Sequence, residues 1–243
     1  MPGARLAAVA VLLVLAGGGA GWADAPLRIL FVGNSLTYTN DLPLMVESMP
    51  CVAGRPVQVG SAAGPDMAIS DHLSRGPARQ FLREPWDFVV MQQGPSSLPE
   101  SRTALLRGAR RLAAQARRAG AEPALYMVWP SRQREADFDR VSESYRLAAV
   151  DVKGVLLPVG EAWRAAWRRD PEIALYGPDG FHPSLMGTYL GALVICSRLG
   201  GAAPEDLPSY VRVSGGLVQI PPVQAGILKA AAAEALERFP ARD

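Results

Sequence analysis

Gly33-Asn34-Ser35-Leu36-Thr37 follows a continuous apolar run, residues 27–32 (LRILFV), and sets a hydroxyl where a buried parallel strand should end. Gly33 lets the chain turn sharply. Ser35 then stands near the start of the next helix, where backbone amides favour developing negative charge. That is the setting of a nucleophile, although the same residues taken alone read equally well as a turn with a Ser or Asn cap. The pattern is neither Gly-x-Gly-x-x-Gly nor Gly-x-x-x-x-Gly-Lys, so the dinucleotide and phosphate-loop fingerprints are absent.

The second stretch is Asp179-Gly180-Phe181-His182-Pro183, just ahead of a helical segment. A catalytic base needs an imidazole held in one tautomer by a carboxylate. An Asp and a His three residues apart on one tight loop meet that need locally. Alone, this too reads as a capped turn with a His over an apolar edge. Both motifs fall at the edge of a sheet where ligands bind, and together they point to nucleophilic catalysis.

The elements that must position them alternate along the chain. Strands are expected at 27–32, 56–60, 87–91, 124–128 and 155–159, and helices at 42–49, 70–81, 101–120, 137–150, 161–168, 184–199 and 222–239. Ser101 is the expected N-cap of the long helix and Gly120 its stop. Regular βα alternation predicts an α/β fold with a central parallel sheet and helices on both faces. The Gly/Pro-rich stretch 200–216 reads as a long loop.

At these residues the chain resembles the SGNH/GDSL-type esterases. ILFVGNSLT matches their first block, with Asn34 where the more familiar motif has Asp, and DGFHPSLMGTYLGA matches their last. WDFVVMQQGPSS and LLPVGEAW resemble a secreted bacterial subgroup of unassigned specificity. The resemblance runs from about Leu27 to Leu199. It implies a flavodoxin-like three-layer sandwich with Ser35 as nucleophile, His182 as general base and Asp179 as its orienting partner. It also implies no metal and no organic cofactor. The family supplies an oxyanion Gly after the second strand and an Asn after the third. Gly64 is the candidate for the Gly, with Gly60 as alternative. No Asn follows DFVVM: if Gly94 matches the family's Gly, Ser96 takes the Asn position, and Gln92 or Gln93 could donate the same amide bond from a longer arm. Strand alternation sends those two to opposite sides.

Composition narrows the function further. Of 243 residues, 49% are hydrophobic and 20% charged, as in an ordinary globular protein, and the net charge of +2 leaves no footprint for nucleic acid or anionic lipid. Two His and two Cys exclude the usual His/Cys zinc sites. A charged start, an apolar run over 6–15 and small residues up to Ala23 describe a signal peptide over 1–23, with one hydrolase-like domain over 24–243. An exported protein, periplasmic or extracellular and not stably held on a membrane, is the consequence. Export permits a Cys51–Cys196 disulfide, but two separate buried thiols are the slightly favoured expectation. His72 reads as capping or packing ahead of lining a pocket. Trp129 could be a sugar-stacking platform or core. Trp163 and Trp167, four apart on a helix, should pack together, and the Arg cluster over 107–118 should be a solvated face. The resemblance thus implies an exported esterase acting on a short acyl group, acetyl by analogy with related exported enzymes, carried by a carbohydrate or other small ester. The alternatives are a silent glycan-binding protein on the same fold, or an acyltransferase using the same three residues.

Overall fold

The computed structural model describes residues 25–74 and 78–241; the expected signal peptide lies outside them. Five strands form one sheet: β1 Leu27–Gly33, β2 Val57–Ala63, β3 Phe88–Met91, β4 Glu122–Tyr126 and β5 Val155–Leu157. All their pairings are parallel, in the order β2-β1-β3-β4-β5. The strands read as apolar runs because they are covered on both sides. Ile29, Leu30, Phe31 and Val32 are all fully buried.

The helices are α1 Ser35–Tyr38, α2 Leu42–Glu47, α3 Ile69–Ser74, α4 Ala78–Phe81, α5 Pro99–Arg118, α6 Phe138–Val152, α7 Val159–Arg169, α8 Leu185–Gly200 and α9 Pro222–Arg238. The chain leaves β1 toward β2, then reverses to β3, β4 and β5. With right-handed crossovers, that reversal sends α3, α5 and α6 to one face and α2 to the other. Packing agrees: α3 lies on α5 and α5 on α6, while α8 joins α2, α7 and α9. The reversal opens a crevice at the carboxyl ends of β1 and β3, where open α/β sheets bind ligands.

Helix α5 shows how the pattern sets the packing. Leu105, Gly108, Ala109, Leu112, Ala113 and Ala116 recur at helical spacing and are buried. The helix begins earlier than expected, at Pro99. Ser101 sits at its third position and accepts the Leu98 N–H at 3.1 Å, because proline at the first position needs no amide partner. The Arg cluster is only partly a free face: Arg110 pairs with Asp151, and the Arg117 side chain donates to the Lys153 carbonyl at 3.1 Å.

Of the expected helix over 70–81, α3 and α4 are described, and 75–77 lie outside the described residues. Two expectations are corrected. Residues 200–216 are not a bare loop, since β6 Tyr210–Val213 and β7 Gly216–Gln219 make an antiparallel hairpin. The cysteines are not separate thiols: Cys51 and Cys196 form a disulfide with 4.9 Å between Cα atoms. Cys51 follows α2, Cys196 lies on α8, and only the tertiary packing of these helices brings them together. A Cβ on Gly200 would lie 2.2 Å from the Cys51 carbonyl oxygen, so glycine permits the approach. The bridge closes a separation of 145 residues, and chain entropy gives it about 5 kcal/mol. Reduction, or Cys51→Ala with Cys196→Ala, should lower the unfolding free energy by about 3–5 kcal/mol, read as a fall in the denaturant midpoint; an unchanged midpoint would show that the bridge does not form in solution.

No described helix is long and apolar enough to cross a membrane.

Candidate active site

Ser35 is the first residue of α1, directly beyond β1. Its predecessor Asn34 is extended and caps the helix, its Oδ1 accepting the Leu36 N–H at 3.1 Å. The turn is tight enough to demand glycine at 33. A Cβ there would lie 2.3 Å from Thr37 Oγ1 and 2.5 Å from Gln92 Oε1.

Gln92 locks this turn to β3. Its Oε1 accepts the Asn34 N–H at 2.9 Å and the Thr37 hydroxyl at 2.8 Å. Its Nε2 donates to Asn34 Oδ1 at 2.9 Å and to the Gln93 carbonyl at 2.6 Å. Both amide hydrogens are therefore committed and the side chain is fully buried. Gln92 is a buried brace, not a donor toward Ser35, which corrects half of the pair expected from sequence. Gln93 points the other way, as strand alternation requires. Its Nε2 donates to Ser96 Oγ at 3.0 Å, which leaves one amide hydrogen, and the residue lines the same cleft as Ser35. Ser96 is held at φ 58°, its hydroxyl turned onto the Gly94 carbonyl.

His182 arrives from the far end of the chain. The Tyr176–Pro183 loop is closed by a bridge between its ends, by the Gly177 N–H on the His182 carbonyl at 2.7 Å, and by Gly180 at φ 69°. The Trp129 indole donates to the Phe181 carbonyl at 3.0 Å, and the Arg132 N–H to the Gly180 carbonyl at 2.8 Å. Within the loop, Asp179 Oδ1 accepts the Phe181 and His182 amides, each at 3.0 Å. Its Oδ2 lies 2.5 Å from His182 Nδ1, and His182 Nε2 lies 2.8 Å from Ser35 Oγ. A carboxylate can only accept, so Nδ1 carries the ring hydrogen and Nε2 is the acceptor facing the Ser35 hydroxyl. The three residues singled out in the sequence thus form one continuous hydrogen-bonded chain.

The His182 ring, followed by the Phe181 and His182 amides, holds the Asp179 carboxyl below its ordinary 3.8, at about 2. Its folded value lies under its unfolded one, so the folded state binds fewer protons. The stabilisation it brings is complete above about pH 4 and is lost as pH falls through 2. A carbon-detected NMR titration should place the Asp179 midpoint near pH 2; a midpoint near 4 would show that the Asp179–His182 bond is not held.

Gly64 lies one residue past β2, and its N–H reaches the Gly33 carbonyl at 3.3 Å. Gly60, the alternative, sits inside β2 opposite Leu30, where a Cβ would be 2.5 Å from the Trp86 ring. It is a packing glycine. Trp129 is core and not a sugar platform: it is fully buried and stacked on Trp163 at 3.6 Å. Trp163 and Trp167 do pack, edge to face at 5.6 Å. His72 is fully buried beneath the Gly33 turn.

Several residues escaped the sequence reading. Asn40, at φ 54°, donates to the Pro183 carbonyl and to Thr188 Oγ1, both at 2.9 Å, and so ties the Ser35 segment to the His182 loop. The turn-prone Asn40-Asp41 pair was the available signal. Arg134 and Phe181 join Asp66, Met67, Leu98 and Ser97 around a cleft of about 470 Å³ at Ser35. Arg134 is anchored by Asp137 and by Ser97 Oγ. Among the described residues, no three His, Cys, Asp or Glu side chains converge as metal ligands.

No protein-family model matches the chain, and no curated protein does. Solved structures do. A protein of Slackia heliotrinireducens described as an SGNH hydrolase is 33% identical, with TM-score 0.63, over 72% of this chain and 100% of its own. A DUF4886 family protein from Bacteroides uniformis is 16% identical, with TM-score 0.70, over 88% of this chain and 95% of its own. A mutant acetyl-xylooligosaccharide esterase from Geobacillus Stearmophilus is 13% identical, with TM-score 0.57, over 73% and 96%. The last two share the fold, while the first, at a third of positions along its whole length, carries kinship. The chain belongs to the SGNH hydrolase family, the esterase family that its two motifs resemble.

Proposed function

We propose that this protein is an exported serine esterase that removes a short acyl group, most simply acetyl, from a carbohydrate. The observation that carries the reading is the unbroken chain from Asp179 through His182 to Ser35, with links of 2.5 and 2.8 Å, opening on a cleft. His182 Nε2 takes the Ser35 proton as Oγ bonds to the ester carbonyl carbon. The negative charge that gathers on the carbonyl oxygen is met by the Ser35 and Gly64 amides and by the free amide hydrogen of Gln93. Collapse breaks the bond to the alcohol oxygen, which leaves with the proton from His182. Water then adds to the acyl-enzyme, His182 takes its proton, and the acid departs with Ser35 restored.

The substrate class rests on the cleft. Its lining sets polar Ser97, Ser101, Arg134 and Asp66 beside apolar Met67, Leu98 and Phe181. A sugar ring presents hydroxyls at its edge and C–H bonds on its face, and suits such a wall. The Geobacillus neighbour, which acts on acetyl-xylooligosaccharides, supplies the same lead. Export is supported by the signal-like residues 1–23 and by the disulfide, a bond that persists in oxidising compartments.

A p-nitrophenyl ester series from acetyl to octanoyl, followed by acetylated xylo-oligosaccharides, tests the proposal. Turnover should be fastest for acetate and fall with chain length. A rate that climbs with chain length would overturn the short-acyl assignment, and a folded protein inert on every ester would overturn hydrolysis.

A further inference from the structure

His72 takes no part in the steps above, yet its imidazole is fully buried on α3 and aimed at the turn that carries Ser35. Nε2 lies 2.8 Å from the Gly33 carbonyl oxygen. That oxygen only accepts, so Nε2 bears the hydrogen. Nδ1 is left bare and, among the described residues, buried without a hydrogen-bond partner. Burial lowers the pKa of the ring and keeps it neutral. An orphaned ring nitrogen costs free energy that an apolar side chain would avoid. What the imidazole supplies in exchange is one donor to one carbonyl.

That carbonyl is contested. The Gly64 N–H also reaches it, at a long 3.3 Å. The other end of the same peptide, the Asn34 N–H, is held by Gln92 Oε1 at 2.9 Å. A carbonyl oxygen has two lone pairs and can take both donors, but the 3.3 Å Gly64 contact lies beyond the usual N–H···O range while the 2.8 Å His72 bond lies within it. We propose that His72 is a positioning residue for the oxyanion hole: it satisfies the Gly33 carbonyl, fixes the peptide ahead of Ser35, and leaves the Gly64 N–H free to turn to the developing oxyanion. The inference rests on the esterase reading of Ser35 and on Gly64 as a donor. Without His72, the Gly64 amide becomes the carbonyl's remaining donor, and moving it to the oxyanion strands a buried acceptor at the moment of reaction. The penalty then falls on kcat and spares KM.

Wild type, His72→Leu, His72→Gln and Ser35→Ala are compared on p-nitrophenyl acetate, each checked by thermal melting. His72→Leu should lower kcat roughly 30-fold, less than the 10²–10³ typical of losing an oxyanion donor outright, with KM within about twofold. His72→Gln, whose amide can reach the same carbonyl, should recover most of the loss. Unchanged kcat in folded His72→Leu, or a loss that His72→Gln does not repair, overturns the role of His72; if Ser35→Ala is inactive in that experiment, the esterase reading stands. Activity that survives Ser35→Ala overturns both. If neither His72 variant folds, nitrogen-15 spectra of the wild type decide: a protonated Nε2 with bare Nδ1 supports the inference, and a protonated Nδ1 overturns it.

Discussion

Ser35→Ala is expected to reduce kcat on p-nitrophenyl acetate by on the order of 10⁶-fold, the scale seen when a serine nucleophile is lost. The substitution removes one oxygen, whose described hydrogen bond is with His182 Nε2 at 2.8 Å. The turn around it does not depend on that oxygen. Asn34 caps the helix, Gln92 and Thr37 hold the turn from inside, and Gly33 keeps its tight fit. Stability should therefore change by less than about 1 kcal/mol, as for other substitutions that open no cavity and strand no buried group. The oxyanion donors and the cleft survive, so a weak residual rate above water is expected. A variant within tenfold of wild type would remove Ser35 from the chemistry.

His182→Gln should be nearly as severe, on the order of 10⁵–10⁶-fold in kcat. A glutamine can bridge the gap between Asp179 and Ser35, but its amide cannot accept and return a proton near neutral pH. The reaction loses its base in both half-reactions while the loop, closed by Gly177, Trp129 and Arg132, stays in place. The two effects should not add. Ser35→Ala combined with His182→Gln should be no slower than Ser35→Ala alone, because each disables the same proton-coupled attack. Steady-state rates of the two single variants and the double variant check this. A double variant slower by a further factor of 100 would mean that the two residues act in separate steps.

The sheet and the Asp179–His182 pair were legible because each depends on local sequence, whereas the Ser35–His182 link, across 147 residues, was legible only through the family resemblance of the two blocks that carry it. An apolar run ending in glycine makes a buried strand stop where Ser35 begins, and Asp179 and His182 meet within one loop. Residues whose roles need tertiary partners were not legible. Gln92 and Gln93 are adjacent and identical, yet one is spent inside the turn and the other lines the cleft, a difference set by which face of β3 meets Asn34. Cys51 and Cys196 pair because α2 packs on α8, which no spacing reveals. Trp129 read equally as platform or core in sequence, and it is core because Trp163 covers it. The hairpin Tyr210–Gln219 was hidden by its glycines: Gly215 lies in its two-residue turn, and Gly216, at φ 120°, opens the returning strand.

The central claim is covalent, so the most direct measurement is covalent too. Wild-type protein mixed with p-nitrophenyl acetate, quenched in acid within the first turnover and digested, should yield an acetylated peptide with the group on Ser35. The same peptide should be unmodified in Ser35→Ala. Steady turnover with no acetyl on Ser35, or with acetyl on another residue that forms and decays at the catalytic rate, would contradict the assignment of Ser35 as nucleophile.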